Sequence, residues 1–255
     1  MIDFPTEILI EIFKNLTVQE CLLGVGRTCH RFHLVVMSSK EIWRHLITTA
    51  EFTTETFAVI VAHAEFLESL ALIYSQRVLC FNNPDRYIET RLLSSCVNLR
   101  DLDLSYNTSI STLRFVNNMP FLKSLVILGC TSIDAQDLLS CVYDCKTLKV
   151  LDISCCTQLE NEHALELVTV CKELLHLKVL RAEWSCRFTA EVASDILSET
   201  NIVELDVTPV WSPPSQWIEL VGQHIGVKFG NSIMDHIKRM GLPNYLYEDE
   251  QEEFE

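Results

Sequence analysis

Three stretches of this chain, "CVNLRDLDLSYNTSI", "PFLKSLVILGCTSI" and "CKTLKVLDISCCTQL", can be laid over one another. Counting each from its first aligned leucine as position 0, apolar residues fall at 3 and 5, Asn or Cys at 8, and Ile or Leu at 11. The sets are Leu99, Leu102, Leu104, Asn107, Ile110; Leu122, Leu125, Ile127, Cys130, Ile133; and Leu148, Leu151, Ile153, Cys156, Leu159. Two weaker copies follow, at Leu177, Leu180, Ala182, Ser185, Phe188 and at Ile202, Leu205, Val207, Val210, and a degenerate one precedes at Leu67, Leu70, Leu72. Starts advance by 32, 23, 26, 29 and 25 residues. A repeat of this period constrains the fold severely, because one copy cannot bury its apolar face alone and copies must stack.

The alternating apolar residues make each copy a short strand with one face inward. Position 8 falls where the chain leaves the strand, and a buried polar side chain there can satisfy backbone groups of the turn. "AQDLLSCVYDC", "NEHALELVTVC" and "TAEVASDILSE", between copies, carry apolar residues at helical spacing. The pattern resembles the leucine-rich repeat, of form LxxLxLxxN/CxL, and its two-residue gap after Cys resembles the cysteine-containing subtype. The resemblance implies an α/β solenoid, with a curved parallel sheet on the concave face and helices on the convex face.

The repeat also accounts for much of the cysteine content, eleven in 255 residues. Cys130 and Cys156 hold position 8, and Cys96 and Cys145 lie three residues before a first leucine. No CxxC pair occurs, and a metal site from Cys141, Cys145, Cys155 and Cys156 is weaker than buried free thiols. No basic segment precedes an apolar one at the start, and "FAVIVAHAEFLESLALIY" is broken by His63, Glu65 and Glu68. A reducing cytoplasmic or nuclear setting is expected. The charge of −15 argues against nucleic-acid binding; six of the acidic residues lie in the terminal "YEDEQEEFE", leaving −9 on the rest.

Before the repeats, "DFPTEILIEIFKNL" predicts an amphipathic helix with Ile8, Leu9, Ile12, Phe13 and Leu16 on one side. Pro5 suits a first turn and Asp3 a cap. Thr17 and Glu20 have capping-box spacing and start a second helix through Leu22, Leu23 and Val25, weakened by Gly24 and Gly26. "CHRFHLVV" predicts a third helix, and "EIWRHL" presents Trp43. This segment resembles an F-box. The family pattern is matched at Pro5, Glu7-Ile8-Leu9, Ile12-Phe13, Leu16, Cys29, Arg31-Phe32 and Trp43; Phe4 stands for the usual Leu, and Glu20-Cys21 for the commoner Asp-Leu.

The two resemblances imply an F-box over 1–46, about six repeats over 47–230 with the first and last degenerate, and a C-terminal helix and acidic tail over 231–255. They imply the substrate-recognition subunit of a cullin-RING (SCF-type) ubiquitin ligase. Phe4, Pro5, Ile8, Leu9, Ile12, Phe13 and Leu16 would dock on the S-phase kinase-associated adaptor, through which cullin and RING protein are reached. Phe32 and Trp43 would hold the helices together. The alternative is a non-degradative inhibitor or assembly scaffold using the repeats alone. No catalytic motif is present, and "CHRFH" reads as packing or surface, so a non-catalytic subunit without cofactor or metal is expected.

The resemblance places the substrate on the concave sheet, where positions 2, 4 and 6 point outward. These are Asp101, Asp103, Ser105; Ser124, Val126, Leu128; Val150, Asp152, Ser154; Val179, Arg181, Glu183; and Glu204, Asp206, Thr208. Six acidic residues around an apolar patch favour a basic, partly apolar protein substrate. Arg100, Lys123, Lys149 and Lys178 form a row at position 1, expected to be countered by nearby Asp residues; a phosphate-reading rim is the competing reading. "WSPPSQW" reads as a turn ending the solenoid, with Trp217 opening a helix.

Overall fold

The computed structural model describes residues 4–48, 54–73, 91–209, 214–231 and 233. Four short helices come first: α1 (Thr6–Phe13), α2 (Val18–Leu23), α3 (His30–Ser38) and α4 (Lys40–Trp43). Pro5 caps α1 through its carbonyl, 3.1 Å from the Ile8 nitrogen. The capping box at α2 forms: the Thr17 hydroxyl accepts from Glu20 N–H, and the Glu20 carboxylate accepts from Thr17 N–H at 2.8 Å. The second helix is shorter than its apolar pattern, ending before Gly24, where a Cβ would lie 2.7 Å from the Glu20 carbonyl oxygen.

The rest is one parallel sheet in chain order, β1 (His45–Thr48), β2 (Ser69–Leu72), β3 (Asp101–Asp103), β4 (Ser124–Val126), β5 (Val150–Asp152), β6 (Val179–Phe188), β7 (Glu204–Pro209) and β8 (Lys228–Phe229). Helices α5 (Thr54–Ala62), α6 (Ala135–Asp144), α7 (His163–Glu173), α8 (Ala190–Glu199) and α9 (Pro214–Gln223) alternate with the strands. The 23-residue copy starting at Leu99 has only a 3-10 turn, Arg114–Asn118, in the place of a helix. Trp217 is buried in the first turn of α9. Asp3, Val210, residues 211–213 of the "WSPP" turn and the expected tail lie outside the described residues.

The register matches the repeat copy by copy. Leu70, Leu102, Leu125, Leu151, Leu180 and Leu205 line up across the sheet, each at most 1% exposed. Strands β1 and β8 lie beyond the six copies seen in the sequence. Leu46 pairs with Leu70, which puts Trp43 three residues earlier, at position 0 of β1. The last residue of the F-box pattern is thus also the first core residue of the sheet.

Trp43 is fully buried; its Nε1–H donates to the Val36 carbonyl at 2.8 Å, and its ring stacks on His63 at 4.0 Å. The His63 ring nitrogens lie 2.8 Å from the Val59 and 2.9 Å from the Met37 carbonyl oxygens. The hydrophobic core runs without a break from Leu9 through the repeats to Ile233.

Position 8 works across copies. The Asn107 amide donates to the carbonyls of Leu72 in the preceding copy and Leu104 in its own. Cys130 donates to Leu104 at 3.0 Å and Cys156 to Ile127 at 3.2 Å. Each side chain serves the position-5 carbonyl one strand back. Ser185 breaks this ladder: its hydroxyl turns to Ala182 in its own copy at 2.7 Å, and Cys186 fills the interior. The β6–β7 register shifts there, between Ala182 and Arg187.

Position 7 repeats as well. Tyr106, Gly129, Cys155 and Trp184 all have positive φ, between 55° and 70°. Three of the four accept a conformation that favours glycine because the strand must turn out at that point in these four copies. At Gly129 a glycine is required twice over, since a Cβ would lie 2.8 Å from the Tyr106 ring.

Candidate protein-docking surfaces

Helix α1 divides the predicted stripe. Leu9 and Phe13 are 3% and 4% exposed and belong to the core, with the Phe13 ring edge-on to Phe32 at 5.3 Å. Leu16 is half-buried against the same core. Phe4, Ile8 and Ile12 are 43%, 45% and 47% exposed, and Pro5 is exposed. The apolar arc is wider than the core can cover, so its edge faces out. The expectation that Leu9 and Phe13 present themselves for docking is therefore corrected: they hold α1 to α3, and the outward surface is Phe4, Pro5, Ile8 and Ile12. The Phe4 carbonyl accepts from the Arg31 guanidinium, which fixes the lead-in against α3. Trp43 is buried and Phe32 packs half-buried against the core. Cys29, His30 and His33 are on the surface.

On the open face of the sheet, burial alternates strand by strand, and positions 2 and 4 face away from the leucines, whereas at position 6 Ser105 and Ser154 are buried. Val126, Leu128, Val150 and Val179 are half-buried there, as a shallow apolar strip. Two of the acidic residues have internal work. Asp103 accepts from the Ser105 N–H at 2.8 Å and from its hydroxyl, and Asp152 accepts from the Ser154 N–H at 2.9 Å. Each closes the turn out of its strand. Glu204 pairs with Arg181 on the adjacent strand. Asp206 packs against Gly230. Asp101 is exposed, and Glu183 is half-buried with its N–H donating to the Ser154 hydroxyl at 3.2 Å. Trp184, 70% exposed beside the β6 irregularity, joins this rim and was not distinguished by sequence. Its signal was the position-7 register it shares with Gly129.

The position-1 row departs from expectation. Backbone bonds stack Arg44, Glu68, Arg100, Lys123, Lys149, Lys178 and Val203 strand to strand. Glu68 faces Arg44 at 3.3 Å and Arg100 at 3.8 Å. Lys123, Lys149 and Lys178 are exposed and form no ion pair among the described residues. Of the expected Asp counter-ions, Asp103 and Asp152 are turned to their own strand-end N–H groups instead. Other cations do pair: Arg114 with Asp137 at 3.1 Å and Lys172 with Glu199 at 2.6 Å.

The described cysteines are free. Burial pushes the thiols of Cys96, Cys130, Cys145 and Cys171 up to about 12. Cys96 and Cys145 donate to the carbonyl four residues back, at 3.2 and 3.0 Å, in matching places before their strands. Among the described residues no group of three or more His, Cys, Asp or Glu is gathered for a metal, and no helix is long and apolar enough to cross a membrane.

The helices before the sheet and the stacked strand–turn–helix units define two module types. Comparison with known families agrees: residues 1–49 match the F-box-like family and residues 90–204 match the Zer-1-like leucine-rich repeats. The chain is an F-box-like domain followed by leucine-rich repeats. No curated protein matches it.

Proposed function

We propose that this chain is the substrate-recognition subunit of an SCF-type cullin-RING ubiquitin ligase. The F-box-like segment docks on the S-phase kinase-associated adaptor, which brings cullin and RING protein, and the repeats hold a protein substrate. The observation that carries the reading is an F-box-like match over residues 1–49 whose lead-in and first helix keep Phe4, Ile8 and Ile12 out of the core. The protein acts by placing its substrate beside a charged conjugating enzyme, which raises effective concentration. Positioning needs no catalytic group of its own.

Three half-exposed side chains recover about half of the roughly 1.5–3 kcal/mol that full burial of each would give. Association costs about 4–15 kcal/mol, so the adaptor must cover more than α1. Leu23 on α2 and Leu34 on α3, both exposed, are available for that purpose.

An Ile8→Asp, Ile12→Asp double variant tests the reading. Adaptor pull-down is expected to be lost while the melting temperature stays within about 2 °C, because each substitution replaces a half-exposed side chain. Leu9→Asp, Phe13→Asp serves as the core control and is expected to melt far lower. Full adaptor binding by the first variant would refute docking through this face. A wild-type chain that never co-purifies with adaptor would favour the non-degradative scaffold reading.

A further inference from the structure

We propose that Lys123, Lys149 and Lys178 form a docking rail for an extended, carboxylate-rich segment of the protein substrate; this rests on the reading that the repeats hold the substrate, and names the chemistry of one of its segments. The fold itself does not ask for lysine at this position. The same backbone place is held by Glu68 two strands before Lys123 and by Val203 one strand after Lys178, with equivalent strand-to-strand bonds. Lys149 N–H donates to Lys123 O at 2.7 Å and Lys178 N–H to Lys149 O at 2.8 Å, so the three lie on consecutive strands. Neighbouring strands run about 4.8 Å apart, which spaces the rail over about 10 Å.

Three like charges in file repel one another in the free protein. The chain has 35 acidic residues against 20 Lys and Arg, so counter-ions are abundant. Even so, no described carboxylate pairs with these three. Asp103 on β3 and Asp152 on β5 are drawn to cap their own strand ends, and the exposed Asp101 on β3 forms no ion pair with the three lysines among the described residues. Next to the rail the helix-to-strand turns add Lys146, which has Glu173 at 3.9 Å, and exposed His176. The Lys146 turn also borders a cleft of about 400 Å³ whose lining mixes Val116, Met119 and Pro120 with Asn117, Asp144 and Thr147, a partly polar seat beside the charges.

An extended peptide laid across the strands presents same-side residues every 6.6–6.8 Å or so, twice the rise per residue. Long, flexible lysine stems absorb the difference from the strand spacing. Lysine supplies point charges without the planar fork of arginine, so the rail suits dispersed carboxylates better than the concentrated charge of one phosphate group.

The test uses the full chain and fluorescence anisotropy with a labelled nonapeptide of alternating Glu and Ser. Its control is the same peptide with Gln for Glu. The Glu peptide is expected to bind with strong salt dependence and the Gln peptide not to bind. Lys123→Glu, Lys149→Glu, Lys178→Glu together should weaken binding at least tenfold, and the neutral triple Lys→Gln variant should fall between. Adaptor pull-down on the same preparations should be unchanged, which separates failure of the rail from failure of the F-box reading. Equal binding of the Glu and Gln peptides, or of wild type and the triple Glu variant, would overturn the proposal. A charge-matched phosphoserine peptide binding more than tenfold tighter would overturn the carboxylate assignment. A large gain in peptide affinity on deleting 247–255 would assign the rail to the chain's own acidic end instead.

Discussion

Asn107 is the most informative single residue to change. It is fully buried, and its side-chain amide reaches across a strand boundary to the Leu72 carbonyl as well as to Leu104. In Asn107→Ala the Leu104 oxygen keeps two donors, the Asn107 N–H at 3.2 Å and the Cys130 thiol at 3.0 Å. The Leu72 oxygen loses its amide partner. An unsatisfied buried carbonyl costs about 1–3 kcal/mol. The vacated space adds about 1 kcal/mol. The expected loss is therefore about 2–4 kcal/mol, which corresponds to a fall in melting temperature of about 5–15 °C for a chain of this size. Asn107→Cys should recover about half of the loss, because Cys130 and Cys156 show that a thiol in this place reaches the preceding copy's carbonyl. The assay is urea unfolding followed by far-ultraviolet circular dichroism, with calorimetry on the same three proteins. Equal destabilisation by Ala and Cys would refute the reasoning, since position 8 would then serve volume and not the cross-copy hydrogen bond.

The thiols predict an alkaline limit. Unfolded thiols titrate near 8.5, whereas Cys96, Cys130, Cys145 and Cys171 stay protonated in the fold up to about 12. Between those values the unfolded state releases protons that the native state keeps. Stability should hold below about pH 8.5 and fall above it by about 1.4 kcal/mol per pH unit for each such thiol. A urea midpoint that does not move between pH 8 and 10 would contradict this. Asp137 predicts an acid limit: burial alone would raise its carboxyl, but the Thr112 hydroxyl at 2.7 Å, the Leu113 N–H at 3.0 Å and the Arg114 guanidinium at 3.1 Å outweigh it and hold it below its usual value. Its contribution is complete above the unfolded value, near pH 4, and is lost as pH falls through the lower folded value. Asp137→Asn should therefore be less stable than wild type at pH 7 and less sensitive to acid, read from urea midpoints between pH 2.5 and 7.

The repeat register was legible in the chain because stacking fixes it. A strand that slipped by one residue would turn Leu102, Leu125 and Leu151 to solvent, so the leucine spacing alone specifies pairing and inward face. The capping box at Thr17 was legible for the same kind of reason, both partners lying within one helical turn. Whatever depends on which neighbour arrives was not legible. The α1 stripe runs over both sides of a boundary that only the packing of Phe32 and the α3 helix draws, so Leu9 and Ile8 are adjacent in sequence and opposite in fate. Trp43 closes one motif and opens the first strand of the next module, a double role visible only once Leu46 is paired with Leu70. Position 7 hides its common backbone conformation behind Tyr, Gly, Cys and Trp, because the turn is imposed by the stacked strands and not by local residue preference. The lysine row could be counted in the sequence, but its pairing is a tertiary matter: Asp103 and Asp152 each turn Oδ1 to a strand-end N–H group, and no described carboxylate pairs with the three lysines.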